Sequence, residues 1–262
     1  MMKRSLIVVL FVLGLGQVYA QPVKDTAWTK AGYFGLKLTQ VSLSSWSAGG
    51  ESALAFDSQI TYSADFKQDR QLWQNRLELG YGLTKNDGKS ARKTNDKIYF
   101  ASTYGYQIYK TLYWSALLNF NTQFAKGYDY NIEDSDFISK FMAPGYLIIG
   151  TGITWSPNKI FTATFTPASW RGTIVADSRL SDEGAFGVDK GKHLLSEFGA
   201  NLKAEVNYEF LTNMKVYSRL ELYSNYLEDP QNIDVRWEVQ LNMAINKWFS
   251  TTLSTNLLYD ND

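Results

Sequence analysis

The sequence predicts an all-β protein, an antiparallel up-and-down β-barrel of transmembrane strands, and three observations lead there. In Glu197 to Phe210 the two parities separate without exception, Phe198, Ala200, Leu202, Ala204, Val206, Tyr208 and Phe210 against Glu197, Gly199, Asn201, Lys203, Glu205, Asn207 and Glu209. A period of two is the signature of a strand, because successive Cβ atoms point to opposite faces. Ile233 to Asn246 repeats it with Ile233, Val235, Trp237, Val239, Leu241, Met243 and Ile245 on one face. Such strands are about 13 residues long, roughly 43 Å, and tilted near about 45° they cross roughly 30 Å of hydrocarbon. Second, no segment after the leader supplies 18 consecutive apolar residues; the best run, near Tyr146 to Ile153, is broken by Gly150, Thr151 and Gly152. Transmembrane helices are thereby excluded, and a closed barrel is the remaining way to satisfy every backbone group in lipid. Third, 8 Trp, 17 Tyr and 15 Phe in 262 residues are ample for interfacial girdles.

The chain opens with Lys3 and Arg4, an apolar run from Leu6 to Leu15, and Val18-Tyr19-Ala20. This is the pattern of a secretory signal peptide over residues 1–20, too short to span as a helix, with Gln21 as the expected first residue of a barrel domain over 21–262. The whole chain has 26 Lys+Arg and 26 Asp+Glu; without Lys3 and Arg4 the basic count falls to 24 and the formal charge to −2. Both signs are interleaved, so nothing points to nucleic acid as a partner. With 0 Cys in an exported chain, stability rests on burial and backbone pairing rather than on a disulfide framework.

Strands are expected from Gly32 to Trp46, Ser52 to Phe66 and Leu72 to Thr84, the last with Trp73, Asn75, Leu77, Leu79 and Tyr81 against Gln74, Arg76, Glu78, Gly80 and Gly82. A turn-rich loop, Lys85 to Asn95, leads to Asp96 to Tyr109, then Leu112 to Phe124. A loop with four acidic residues, Lys126 to Ser139, precedes Lys140 to Trp155, and Ser156 to Lys159 turns into Ile160 to about Pro167. The longest loop, Ala168 to Leu194, leads to Glu197 to Phe210, Met214 to Tyr226, Ile233 to Asn246 and Trp248 to Tyr259. Eleven strands result, with short and long connections alternating, the asymmetry of short periplasmic turns and longer outer loops. Bacterial barrels have even strand numbers, so the expectation is about twelve, with the last strand truncated or one skipped around Arg171 to Val175. A soluble sandwich is the alternative; its strands cluster near about 5 to 6 residues, half of what these patterns sustain.

The segments Trp46 to Glu51, Asn119 to Phe124, Ala143 to Tyr146, Gly184 to Val188, Ser224 to Tyr226 and Leu258 to Asp260, in that order, resemble a family of uncharacterised Bacteroidota proteins, domain of unknown function 3078. The resemblance covers most of the chain after the leader. It implies an outer-membrane barrel in a Gram-negative envelope that continues beyond Asp260 into a closing strand, and it implies no activity.

Candidate chemistry lies on the polar parity. Arg76 and Glu78, then Lys203, Glu205 and Glu209, then Arg219 and Glu221, then Arg236 and Glu238 are expected to face a barrel interior as a ladder of ion pairs that fills a narrow lumen. Interleaved signs suit plugging; a channel selective for one charge wants a single-sign ring. The single histidine, His193, is the one candidate general base for an outer-membrane lipid hydrolase. On a strand Ser196 faces away from it and Glu197 is about 13 Å on, so Ser169, Ser178 or Ser181 would have to approach. Glu133-Asp134-Ser135-Asp136 lacks the ligand order and glycine of a calcium loop, and Gly49-Gly50 reads as a tight connection rather than a phosphate loop. No cofactor is expected, and the chain is read as a non-enzyme. The expected role is a structural, binding or narrow transport module, with a small-solute diffusion channel and the hydrolase as alternatives. Its surroundings are outer-membrane lipid, and a solute or surface partner would meet the loops 126–139 and 168–194.

Overall fold

The computed structural model describes residues 18–24, 27–43, 51–132, 136–244 and 250–259. In chain order the strands are β1 (Val18–Lys24), β2 (Trp28–Val41), β3 (Ala53–Gln68), β4 (Gln71–Asn86), β5 (Arg92–Tyr109), β6 (Leu112–Thr122), β7 (Gly127–Tyr128), β8 (Phe137–Ser139), β9 (Gly145–Trp155) and β10 (Phe161–Ile174). A short helix α1 (Ser178–Glu183) precedes β11 (Leu194–Leu211), β12 (Met214–Asn225), β13 (Ile233–Ala244) and β14 (Ser250–Tyr259). All but β7 and β8 form one 12-stranded antiparallel sheet in which every neighbour in space is also the neighbour in sequence. The eleven expected strands are all present, and β1 adds a short edge strand to β2.

Short turns close the strands at one end, and a residue in the left-handed region makes each tight: Asp69 between β3 and β4, Lys110 between β5 and β6, and Asn213 between β11 and β12. At Ser156 to Lys159 the Asn158 carboxamide does the same work by accepting from the Ile160 and Phe161 amides at 2.8 and 3.0 Å. The long connections lie at the other end.

Several boundaries differ from expectation. β5 begins at Arg92 because the β4–β5 hairpin stays paired further into the polar loop. β10 does not end at Pro167. It passes through a bulge between Thr166 and Ser169 and runs on to Ile174, so the loop expected from Ala168 starts at Val175 and the suspected extra strand near Arg171 is the far half of β10. A bulge leaves its extra residues unpaired, which is how a proline without an amide proton is carried inside a strand. The bulge presses on β9, where a Cβ on Gly152 would lie 2.0 Å from the Phe165 carbonyl oxygen, so no side chain fits there. Residues 1–17 of the expected leader, Ser44 to Gly50 with its paired glycines, and Glu133 to Ser135 of the acidic stretch lie outside the described residues.

The two faces of the sheet are inverted relative to a water-soluble protein. On the outward parity Phe165, Ile149, Phe198 and Trp237 are 49%, 46%, 43% and 46% exposed. On the other, Thr154, Thr164, Glu197 and Glu78 are at most 8% exposed. The polar face is concave. Arg171 on β10 reaches Asp234 on β13 at 2.7 Å, although three strand spacings of about 4.8 Å put those backbones about 14 Å apart in a flat sheet. Further round, Tyr99 on β5 is within Coulombic reach of Arg219 on β12, and Tyr217 on β12 of Arg76 on β4. The sheet therefore curls until its polar face looks at itself. Among the described residues β14 pairs only with β13, and its side chains from Leu253 to Tyr259 are exposed on both faces.

A small apolar cap sits at the loop end. Ala143, Val175, Leu180 and Val188 are buried there, with Phe137, Ala185, Phe186 and Leu195 against them. Asp177 caps α1 by accepting from the Leu180 amide at 3.0 Å, and it pairs with Lys140 at 2.5 Å. The Lys140 ammonium and the Leu180 amide hold the Asp177 carboxyl below the usual carboxylate range. A depressed pKa adds stability above the unfolded value, near about 4, and that stability is lost as the pH falls through the folded one. Acidification to below about pH 4 is thus expected to speed hydrogen exchange at Leu180 before it speeds exchange in the strands; simultaneous loss of protection in cap and strands would contradict this.

Candidate functional site

The concave face carries three groups of charges, each assembled by register. On β4, Arg76 and Glu78 share a parity, and Glu78 stands opposite Tyr99, two residues from Lys97 on β5. The Glu78 carboxylate accepts from Arg76 Nε and Lys97 Nζ, each at 2.5 Å, while the Lys97 ammonium lies 5.1 Å from the Tyr99 ring centre.

The second group spans β11, β12 and β13, where opposite charges stand in direct register: Lys203 with Glu221, Glu205 with Arg219, Arg219 with Glu238 and Glu221 with Arg236. Side chains choose among these partners. Arg219 binds Glu238 at 2.6 Å and approaches Glu221 at 3.9 Å; Lys203 turns to Glu205 at 3.4 Å, and Tyr217 donates to Glu205 at 3.1 Å. Arg236 stands 4.0 Å from Glu221 with its side chain 64% exposed. Glu209 leaves the group, pairing with Lys215 at 3.4 Å beside the β11–β12 turn, where both are largely solvated.

The third group was outside the expected ladder. Arg171 grips Glu197 through both Nε and a terminal nitrogen, binds Asp234 at 2.7 Å, and stacks 4.0 Å from the Tyr223 ring centre. Its concealment has one cause, the strand that was expected to stop at Pro167. Lys97, Tyr217 and Asp234 were legible, because each shares the parity of residues already assigned to the polar face.

Toward the short-turn end of β6, β9 and β10 the same face carries small buried hydroxyls. Ser115 donates to Thr154 at 2.7 Å, Thr154 and Thr164 are 2.9 Å apart, and all three are at most 4% exposed. Thr166 and Ser169, at the bulge, are fully buried and their hydroxyls have no partner among the described residues.

The His193 ring nitrogen Nδ1 lies 2.7 Å from the Val175 carbonyl oxygen, at the base of the cap. Of the serines considered for it, Ser181 donates to the Lys192 carbonyl at 2.5 Å, Ser178 opens α1, and Ser169 is inside β10. Among the described residues no group of three His, Cys, Asp or Glu is placed to hold a metal ion, and no helix is long and apolar enough to cross a membrane.

Comparison with known families divides the chain in two. Residues 38–128 match the family described as protein of unknown function (DUF3078). Residues 175–262 match a second, protein of unknown function, DUF481. Neither match spans half of the chain. The first agrees with the resemblance drawn from the sequence and contains Trp46 to Glu51 and Asn119 to Phe124, whereas Gly184 to Val188, Ser224 to Tyr226 and Leu258 to Asp260 fall in the second. No curated protein and no solved structure matches.

The ion pairs differ in what they contribute. Removing one partner of a buried pair strands the other charge and costs about 3–5 kcal/mol, whereas a solvated pair is worth about 0–1 kcal/mol. Arg171→Met, which strands Glu197 and Asp234, is expected to lower the thermal unfolding midpoint, followed by circular dichroism, by far more than Arg236→Met. Equal shifts would contradict the assignment of Arg171 as the interior anchor.

Proposed function

We propose that this chain is an integral outer-membrane β-barrel whose interior is crossed by ion pairs, and that it serves as a structural or solute-binding module rather than an open pore. The observation that carries the reading is the inversion of the sheet, with large apolar side chains outside and charges and hydroxyls inside. In water such a surface is unstable; against acyl chains it is the favourable arrangement.

Details of the outward face support lipid as its solvent. The indole N–H of Trp73, Trp170 and Trp237 each donates to a serine on the neighbouring strand, Ser102, Ser196 and Ser218, at 2.9, 2.6 and 3.0 Å. Those donors need such partners where no water is present. Aromatic rings gather at the short-turn end: Trp28 lies 5.2 Å from Phe66 and 5.8 Å from Trp73, Trp155 lies 5.5 Å from Phe161, and Arg70 covers Tyr106 at 5.0 Å. A ring of this kind marks a membrane boundary, and short turns mark the periplasmic side. Closure requires an antiparallel partner for β14, and in a sheet of alternating directions β1, the twelfth member, runs antiparallel to it. Cleavage after Ala20 leaves Gln21–Lys24 of that strand.

Export would be through the cleaved leader, and the cap and the β12–β13 connection would face outward. Paired charges of both signs leave no single-sign ring to select ions. The folded protein in planar lipid bilayers is therefore expected to give no steady conductance steps at neutral pH; stable, ion-selective steps from the unaltered chain would overturn the closed-interior reading.

A further inference from the structure

One recess on the concave face is not filled by the ion pairs. It lies at the loop end between β5 and β6, roofed by Pro144, and measures about 350 Å³, at the lower end of the range of ligand pockets. We propose that it binds a small neutral polyhydroxylated solute of monosaccharide size.

The chemistry of the lining selects this class. Its charged members already have partners. Lys97 is bound to Glu78 at 2.5 Å, and Asp96 is saturated by Lys93 at 2.8 Å and by the Phe124 and Ala125 amides at 2.7 and 2.9 Å. The Thr122 hydroxyl is likewise committed, donating to the Pro144 carbonyl at 2.9 Å and accepting from the Met142 amide at 3.0 Å. A charged ligand would have to compete with these partners, whereas a neutral one leaves them in place.

What remains facing the space are carboxamides. Asn95 spends its Nδ2 on Asp57 at 3.1 Å and keeps its oxygen as an acceptor. Asn121 and Gln123 line the same wall, and the Gln123 side-chain nitrogen is buried with no hydrogen-bond partner among the described residues. Terminal amide torsions are soft, so this group can turn to a ligand at little cost, and pairing it removes the penalty of a buried unsatisfied donor. Amides present donor and acceptor side by side, as vicinal hydroxyls do, and Tyr146 adds an aromatic residue to the lining. The recess is made by β5, β6, β9 and the turn before β9, which are contiguous in the sheet, so the inference stands whether or not the sheet closes into a barrel.

Titration calorimetry of the folded chain in lauryldimethylamine oxide micelles, a detergent without a sugar headgroup, tests it with glucose, gluconate and glucosamine. Should the protein prove soluble without detergent, which counts against the barrel alone, the same titration is run in buffer. The expected result is saturable binding of glucose, weaker binding of both charged analogues, and a loss of at least about five-fold in glucose affinity in Gln123→Leu, the worth of one neutral hydrogen bond. Asn121→Leu is expected to act in the same direction and decides the matter if Gln123→Leu fails to fold, as read by circular dichroism. No saturable glucose binding, charged analogues bound as well as glucose, or unchanged affinity in the folded variants would overturn the proposal.

Discussion

Ionised groups on the concave face have to find one another, and the whole architecture follows from that demand. A charge withdrawn from water is tolerated only with a partner at hydrogen-bond distance. Arg171, with two carboxylates and an aromatic ring around its guanidinium, meets the demand only because the sheet bends enough to bring β10 toward β13. Register is the means. With a side-chain period of two, sliding β12 by one residue against β11 would move Arg219 and Glu221 to the apolar face. Alternation thus sets register, register sets which charges face each other, and the pairs draw the polar face inward.

Close packing accompanies the curvature. Where β9 and β10 meet, the bulge at Thr166 to Ser169 folds backbone over Gly152, and Ser115, Thr154 and Thr164 share hydrogen bonds in the remaining space. At the loop end the apolar cap packs Phe137, Ala185, Phe186 and Leu195 against Ala143, Val175, Leu180 and Val188. The segment between the two family matches, 129–174, holds β8, the turn through Pro144, and the bulged β10. It is also where the sheet departs most from a regular meander.

Legibility varied with how strictly each segment alternates. Glu197 to Phe210 within β11 and Ile233 to Met243 within β13 alternate without a break, so the existence and the two faces of these strands could be read directly. β10 could not be read past Pro167, because a bulge that excuses a proline leaves no local mark in the sequence; Arg171 was lost with it, and the loop was drawn too long at its start. β1 was hidden by the leader pattern, which accounts for Val18 to Ala20 equally well as a cleavage motif. Of the residues expected in the ladder, Lys203, Glu205, Arg219, Glu221, Arg236 and Glu238 stand across from opposite charges on β11 to β13, whereas Glu209 pairs with Lys215 beside the turn at Thr212 and Asn213. The recess was invisible, because Asn95, Asn121 and Gln123 come together through pairing of β5 with β6 and carry no motif.

The outward orientation of the apolar face is the claim on which the rest depends. With 0 Cys in the chain, single cysteines can be placed at successive positions from Ala200 to Val206, spin-labelled, and reconstituted in liposomes. Collision rates with oxygen, which concentrates in acyl chains, are then compared with those for a water-soluble nickel chelate. Oxygen accessibility is expected to rise at Ala200, Leu202, Ala204 and Val206 and fall at Asn201, Lys203 and Glu205, with a period of two. The opposite phase, with labels at Leu202 and Val206 shielded from oxygen, would contradict it.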